Sequence, residues 1–212
     1  MPTDDQGLRA RKKRALRLLL GDVALRLFAE RGFDAVTVAD IAAAANVSDK
    51  TVFNYFPTKE DLVLDGRDEA EAELVRTVVE RPPGEAILAA VRRHTLALAD
   101  RMNELPAERR QAFRKLVQSA PSVHARMRQM SLHYEDELTR IIIAEQGADA
   151  GDPTPRVIAS LIGTLERLAY GATGWPDGKR KSHAEVIAGI HAAFDLIDRG
   201  LAGYGRKRRV PG

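Results

Sequence analysis

Apolar residues at three- and four-residue spacing recur along the whole of this 212-residue chain, and no alternating apolar/polar run of useful length interrupts them. That spacing puts apolar side chains on one face of a 3.6-residue helix, and it leaves no segment for a half-buried strand. Leu16, Leu20, Val23, Ala24, Leu27 and Phe28 give the first such face over residues 14–31, stopped by Gly32. Residues 38–45 and 49–55 read as two short helices, the second ended by Pro57. A longer helix is predicted from Thr58 to about Arg81, closed by Pro82-Pro83-Gly84. Further helices are predicted at 85–104, 107–119, 122–146, 154–173 and 182–201, punctuated by Pro106, Pro121, the stretch 147–155 and the stretch 174–178. The expected class is all-α with about nine helices, the first three forming a compact N-terminal unit.

Composition narrows the functions. With 44% apolar residues the chain can bury a core. It has no Cys, which excludes disulfides, thiolate zinc sites, Fe–S clusters and Cys nucleophiles. No stretch approaches the roughly 18 to 20 consecutive apolar residues of a membrane span. Arg9, Arg11, Lys12, Lys13 and Arg14 precede Leu18-Leu19-Leu20, but Gly21-Asp22 ends that run too early for a signal peptide. The expectation is a cytoplasmic protein with no membrane partner. Charge is segregated. Residues 1–60 hold ten Lys/Arg against eight Asp/Glu, residues 61–200 hold nineteen against twenty-two, and residues 201–212 hold four and none. Positive ends around a mildly acidic middle suggest a polyanion partner for the termini.

Residues 37–59 hold the most specific pattern. Thr37 precedes a helical run and Asp40 lies three residues on, a capping box with Asp in place of Glu. Ile41, Ala42 and Ala45 form the inward face of barely two turns. Asn46, which tolerates the left-handed conformation, supplies a sharp turn; Val47 points inward and Ser48 caps the next helix. There Val52 and Phe56 face the core, while Lys50, Thr51, Asn54 and Tyr55 face outward. Two short helices about a tight turn are either an ordinary helical hairpin or a helix-turn-helix, whose second helix lies in the DNA major groove. Lys59 follows Thr58, the expected cap of the fourth helix with Asp61 as box partner. A Lys in a first turn opposes the helix dipole, so it is either a solvated surface residue or the point charge beside a bound phosphate.

The stretches Phe28-Ala29-Glu30-Arg31-Gly32-Phe33-Asp34-Ala35-Val36-Thr37-Val38-Ala39-Asp40-Ile41-Ala42 and Val47-Ser48-Asp49-Lys50-Thr51-Val52-Phe53-Asn54-Tyr55-Phe56-Pro57-Thr58-Lys59-Glu60-Asp61-Leu62 resemble the opening of the tetracycline-repressor (TetR) family. The resemblance covers residues 14–64. It implies a bacterial dimeric transcription regulator, most often a repressor, that binds a palindromic operator and releases it when a small molecule enters the C-terminal domain. By resemblance, Thr37, Tyr55 and Lys59 contact phosphate, Thr51 contacts base or phosphate, and Ser48 opens the reading helix. Phe53 stands where many members carry Tyr, and without a hydroxyl it still suits a thymine methyl. Asp49, Lys50 and Asn54 fall at the variable positions. Lys50 suits guanine and Asn54 adenine, while Asp49 either accepts from cytosine or favours its helix N-terminus. Asn46 departs from the frequent Gly.

The resemblance divides the chain into a helix-turn-helix domain with a basic arm at 1–60, a helical effector-binding and dimerisation domain at 61–205, and a basic tail at 206–212. Residues 9–17, with six basic side chains and no acidic one, are either an arm along phosphates or a solvated helix start. The tail, Arg206-Lys207-Arg208-Arg209, is either the same device or a solubilising end. The last two long helices carry apolar stripes wider than one neighbour covers, from Ile158 to Ala169 and from Val186 to Leu201, with Ala188, Gly189 and Ala192 allowing close approach. They are expected to pair two chains as a four-helix arrangement; the alternative is a core within one chain. Met102, Phe113, Met127, Met130, Tyr134, Tyr170 and Trp175 are candidate lining for an effector cavity, although apolar residues at helical spacing are usually core. Arg167, among Leu165, Leu168 and Ala169, either meets an acidic ligand, reaches solvent or pairs with Glu166. His133/Glu137 and His191/Asp195 have a spacing a metal site uses but lack a third ligand nearby in sequence. With no phosphate loop and no nucleophile elbow, neither an enzyme nor a cofactor or metal is expected. The competing function is an effector-independent DNA-binding protein of the same shape, architectural or of the cell cycle.

Overall fold

The computed structural model describes residues 4–149, 151–173 and 181–200. These residues form nine α-helices, α1 Asp4–Arg31, α2 Val38–Ala44, α3 Asp49–Tyr55, α4 Arg67–Val79, α5 Ile87–Glu104, α6 Ala107–Ser119, α7 Pro121–Gln146, α8 Thr154–Arg167 and α9 His183–Asp198. Two 3-10 turns, Glu60–Leu62 and Leu168–Thr173, complete the elements, and no strand is found among the described residues. The all-α class read from periodicity is therefore the observed one. By packing, the described residues fall into two units, one drawn from Met1–Glu73 and Leu105–Asp136, the other from Leu74–Glu104 and Glu137–Gly212. Packing units and functional domains are different divisions. The boundary at 60/61 concerns function, whereas packing joins residues 105–136 to the N-terminal helices.

In the first unit, α1 starts at Asp4, about ten residues earlier than the apolar pattern predicts. In its first half residues 7–9 and 11–15 are exposed, and burial begins at Leu20 and continues through Val23, Ala24, Leu27 and Phe28. This face packs with Ile41 and Ala42 of α2, Val52 of α3 and Phe56, and with Leu116, Ala120, Val123 and Met130 of α6 and α7. Each such buried side chain contributes on the order of 1.5–3 kcal/mol by leaving water.

The helix predicted from Thr58 does not start there. Residues 60–62 form a 3-10 turn, and α4 begins only at Arg67 after Gly66, whose φ is +85°. Leu62 and Leu64 are both buried. Residues two apart lie on opposite sides of an α-helix, so one core cannot take both until the helix is broken. The capping pair survives: Thr58 donates its N–H to Asp61 Oδ2 at 3.1 Å, and Asp61 N–H reaches Thr58 Oγ1 at 3.3 Å.

In the second unit α5 packs against α8, α9 and the turn 168–173. Its buried stripe is Ala90, Val91, Leu98 and Ala99, and the buried residues of the helices packed on it are Ala159, Ile162 and Leu165 in α8 and Val186, Ile190 and Phe194 in α9. The α8 helix ends at Arg167, and the expected continuation to 173 is the 3-10 turn. Ser182 and Glu185 form a full capping box on α9, with Glu185 N–H 3.2 Å from Ser182 Oγ and Ser182 N–H 2.7 Å from Glu185 Oε2. Arg92 of α5 binds Asp195 of α9 and lies 5.6 Å over the Phe194 ring.

Candidate nucleic-acid interface

The segment holding α2 and α3 is built from its caps inward. Thr37 Oγ1 accepts the Asp40 N–H at 3.1 Å and donates to Asp40 Oδ2 at 2.6 Å, while Thr37 N–H meets the same oxygen at 2.8 Å. The Thr37 hydroxyl, then the Thr37 backbone N–H, and then Arg31 hold the Asp40 carboxyl below the usual carboxylate range. At the turn Asn46 takes φ +56°, the left-handed conformation its side chain tolerates. Ser48 Oγ accepts the Thr51 N–H at 3.1 Å and lies 2.9 Å from the Thr51 hydroxyl. An N-cap of this kind is worth about 1 kcal/mol, enough to fix where a seven-residue helix begins.

Val52 and Phe56 of this segment are buried, which aims the opposite side outward. Asp49, Lys50, Phe53 and Asn54 are exposed there, Thr51 and Tyr55 are half-buried, and Thr37 and Ser48 are exposed at the helix starts. Phe53 leaves 52% of its surface open, an uncommon cost for an aromatic ring unless a partner covers it. At 1.5 Å per residue α3 is about 10 Å long, a length and width that a B-DNA major groove admits. Tyr55 also packs on the apolar core.

The basic side chains divide. Arg11, Lys12, Lys13 and Arg14 are exposed on the first half of α1. Arg17, counted with them in the sequence, turns inward: its Nε is 2.5 Å from Asp65 Oδ1 and its guanidinium lies 5.1 Å over the Phe56 ring. Lys59 donates to the carbonyls of Phe33 at 2.9 Å and Val36 at 3.1 Å. Arg126 of α7 reaches Asp61 at 2.9 Å, and Arg109 of α6 reaches Asp22 at 2.6 Å. These fastenings join residues 65 and 87 apart in sequence, and no local pattern announced them. Arg67 and Glu71 form a buried ion pair at 3.0 Å, with Arg67 also donating to Ser131 at 3.2 Å.

The eight candidate effector residues do not gather in one unit. Met130 is buried, and Phe113 and Met127 pack beside it, in the core formed by α1, α2 and α3. Tyr134, in the same unit, donates to the carbonyl of Asp68 at 3.3 Å. Met102, Arg167 and Tyr170 belong to the second unit, and Trp175 and the tail at 206–209 lie outside the described residues. Arg167 donates to Thr164 Oγ1 at 2.8 Å. His94 and Thr95, which the sequence did not single out, and Glu166, considered there only as a partner for Arg167, are buried in the second unit. His94 Nε2 and Glu166 Oε1 stand 3.9 Å apart, too far for a hydrogen bond, and Thr95 Oγ1 is likewise buried without one. The available signal was polar residues inside the α5 stripe. His191 and Asp195 both meet Arg92, an arrangement for holding a cationic side chain rather than a metal ion. No helix among the described residues is long and apolar enough to cross a membrane.

Two short capped helices about a left-handed Asn, with an exposed polar face on the second, define a helix-turn-helix protein of all-α build. Residues 20–65 match the model of the bacterial regulatory proteins of the tetR family. The transcriptional regulator TcmR of Streptomyces glaucescens is 32% identical over 168 residues, 76% of this chain and 74% of that one. The regulator LuxR of Vibrio harveyi is 59% identical over 44 residues, 21% of this chain and 22% of that one. A solved structure described as a TetR-family regulator from Syntrophomonas wolfei has the same fold, with a TM-score of 0.60 at 17% identity over 91% of this chain and 99% of that one. The chain belongs to the TetR family of bacterial regulatory proteins, whose members are DNA-binding regulators of transcription.

Proposed function

We propose that this chain represses transcription as a homodimer, binding a palindromic operator through α3 and leaving it when a small molecule binds the second unit. The observation that carries the reading is the outward face of α3, where Lys50, Phe53 and Asn54 stand exposed beside a capped, buried-anchored helix. Lys50 donates to guanine, Asn54 pairs with adenine and Phe53 covers thymine methyls. Thr37, Ser48, Thr51 and Tyr55 line the backbone side, and the exposed cations at 11–14 follow the phosphates. Asp49, in the first turn of α3, favours that helix end.

The dimer forms through α8 and α9. In support, Val157 of α8 is 54% exposed, and Ala188 and Ala192 of α9 are exposed although both helices are strongly apolar. One reading helix spans few base pairs, so two-fold half-sites multiply specificity. The effector's polar group meets His94, Thr95 and Glu166, with Met102, Arg167 and Tyr170 as further contacts; the buried His94 Nε2, Thr95 Oγ1 and Glu166 Oε1, which make no hydrogen bond, support this placement. Selecting bound duplexes from a random pool with the full chain tests the reading. The expected product is an inverted repeat; a pool without enrichment refutes it.

A further inference from the structure

Lys59 is where the family resemblance and the geometry of this chain part. Its ammonium is engaged three times within the first unit. It donates to Phe33 O at 2.9 Å and Val36 O at 3.1 Å, and it sits 4.2 Å from the centroid of the Phe33 ring. An ammonium has three N–H bonds and no acceptor, so two carbonyls and an aromatic face occupy its capacity. Phe33 and Val36 are themselves buried, which makes the anchor rigid. Residues 33–36 lead directly into Thr37, the cap of α2, and Lys59 follows three residues after Phe56, the C-cap of α3. The ammonium therefore ties together the two ends of the segment that holds both helices.

We infer that Lys59 is a positioning residue, a clamp that sets the start of α2 against the end of α3, and not a phosphate contact. The inference rests on the DNA-binding reading only for its second consequence. Without the clamp the segment 33–36 loses its cation, and Thr37 and the outward face of α3 no longer share one fixed geometry. Operator affinity then falls for every sequence alike, because the loss lies in alignment. The number of phosphates neutralised stays the same, so the dependence on salt does too.

The test uses the full chain as Lys59→Met, Lys59→Gln and Phe33→Leu. Glutamine is neutral yet keeps two N–H donors; methionine keeps only the stem. Thermal unfolding without DNA reads the clamp itself. Lys59→Met is expected to melt about 5 °C lower, the scale set by losing charge-assisted hydrogen bonds in a chain of this size. Titration of the selected duplex at four salt concentrations reads its consequence. Lys59→Met and Phe33→Leu are expected to bind roughly tenfold more weakly with an unchanged slope of log Kd against log salt, and Lys59→Gln to regain at least half of both losses. A slope shallower by about 0.9 per chain overturns the inference whatever the melting temperature does, because that is the signature of one lost phosphate. An unchanged melting temperature in Lys59→Met overturns it as well. If the unsubstituted chain retains no duplex, the DNA-binding reading fails while the melting arm still decides the clamp. Phe33→Leu and Lys59→Gln keep the test open should Lys59→Met not fold.

Discussion

Phe53→Ala is the substitution that most directly reads the outward face of α3. The ring leaves 52% of its surface open in the chain. An aromatic side chain presents roughly 150–250 Å², so about 100 Å² remains for a partner to cover. At about 25 cal/mol per Å² the ceiling is about 2.5 kcal/mol per half-site. Ordering costs little, because a ring has two torsions and this one stands on a capped helix. Truncation is expected to cost about 1–2.5 kcal/mol per half-site, measured as fluorescence anisotropy of the selected duplex. Replacing thymine by uracil at the contacted step removes the methyl group, so it should weaken the unsubstituted chain and leave Phe53→Ala indifferent. The salt slope and the melting temperature should not move, since the ring carries no charge and supports little of the core. A Kd within twofold of the original, or an unsubstituted chain blind to uracil, refutes the reasoning.

Arg67→Met removes the guanidinium from Glu71, which is 2% exposed, and should cost about 3–5 kcal/mol in urea unfolding; Arg67→Met with Glu71→Leu should recover most of it. Asn46→Ala forces an ordinary side chain to φ +56° and should cost about 1 kcal/mol, whereas Asn46→Gly should stay within about 0.5 kcal/mol. Hydrogen bonds from Thr37 hold Asp40 low and those from Arg92 hold Asp195 low, so both carboxylates stabilise the folded chain above the ordinary range near pH 4. That contribution is lost as pH falls below the range, and Asp40→Asn should flatten the acid limb of helical circular dichroism followed against pH.

Much of what is decided within a turn or two could be read in the sequence. The α3 bounds, the two capping boxes around α2 and Thr58, and the left-handed Asn46 follow from side chains three or four residues apart. The start of α4 did not follow, because the burial of both Leu62 and Leu64 is a demand of the core and not of the local pattern. For Phe113, Met127 and Met130 the sequence left core and cavity lining both open: their spacing fixed a helix face, but which neighbour covered that face was a tertiary matter. The pair His94 and Glu166 lies 72 residues apart and becomes visible only when α5 meets α8.

Charge shows the same boundary with more consequence for function. Counted along the chain, Arg17 and Lys59 enlarge the positive footprint offered to DNA. Placed in the fold, Arg17 neutralises Asp65 and lies over the Phe56 ring, and Lys59 lies against two carbonyls and Phe33. Arg126 does the same for Asp61 from α7. These three cations sit at the ends of the reading segment, where the chain must hold two short helices that cannot hold themselves. Under the proposed function, the cations exposed on α1 and α3 are the ones left to meet phosphate and base. A basic residue near a reading head thus has two possible duties, and burial against carbonyl oxygen or an aromatic face tells them apart. Salt dependence should count the second group alone, so a slope fitted to all the cations of residues 9–59 overestimates the contacts by the clamps it includes.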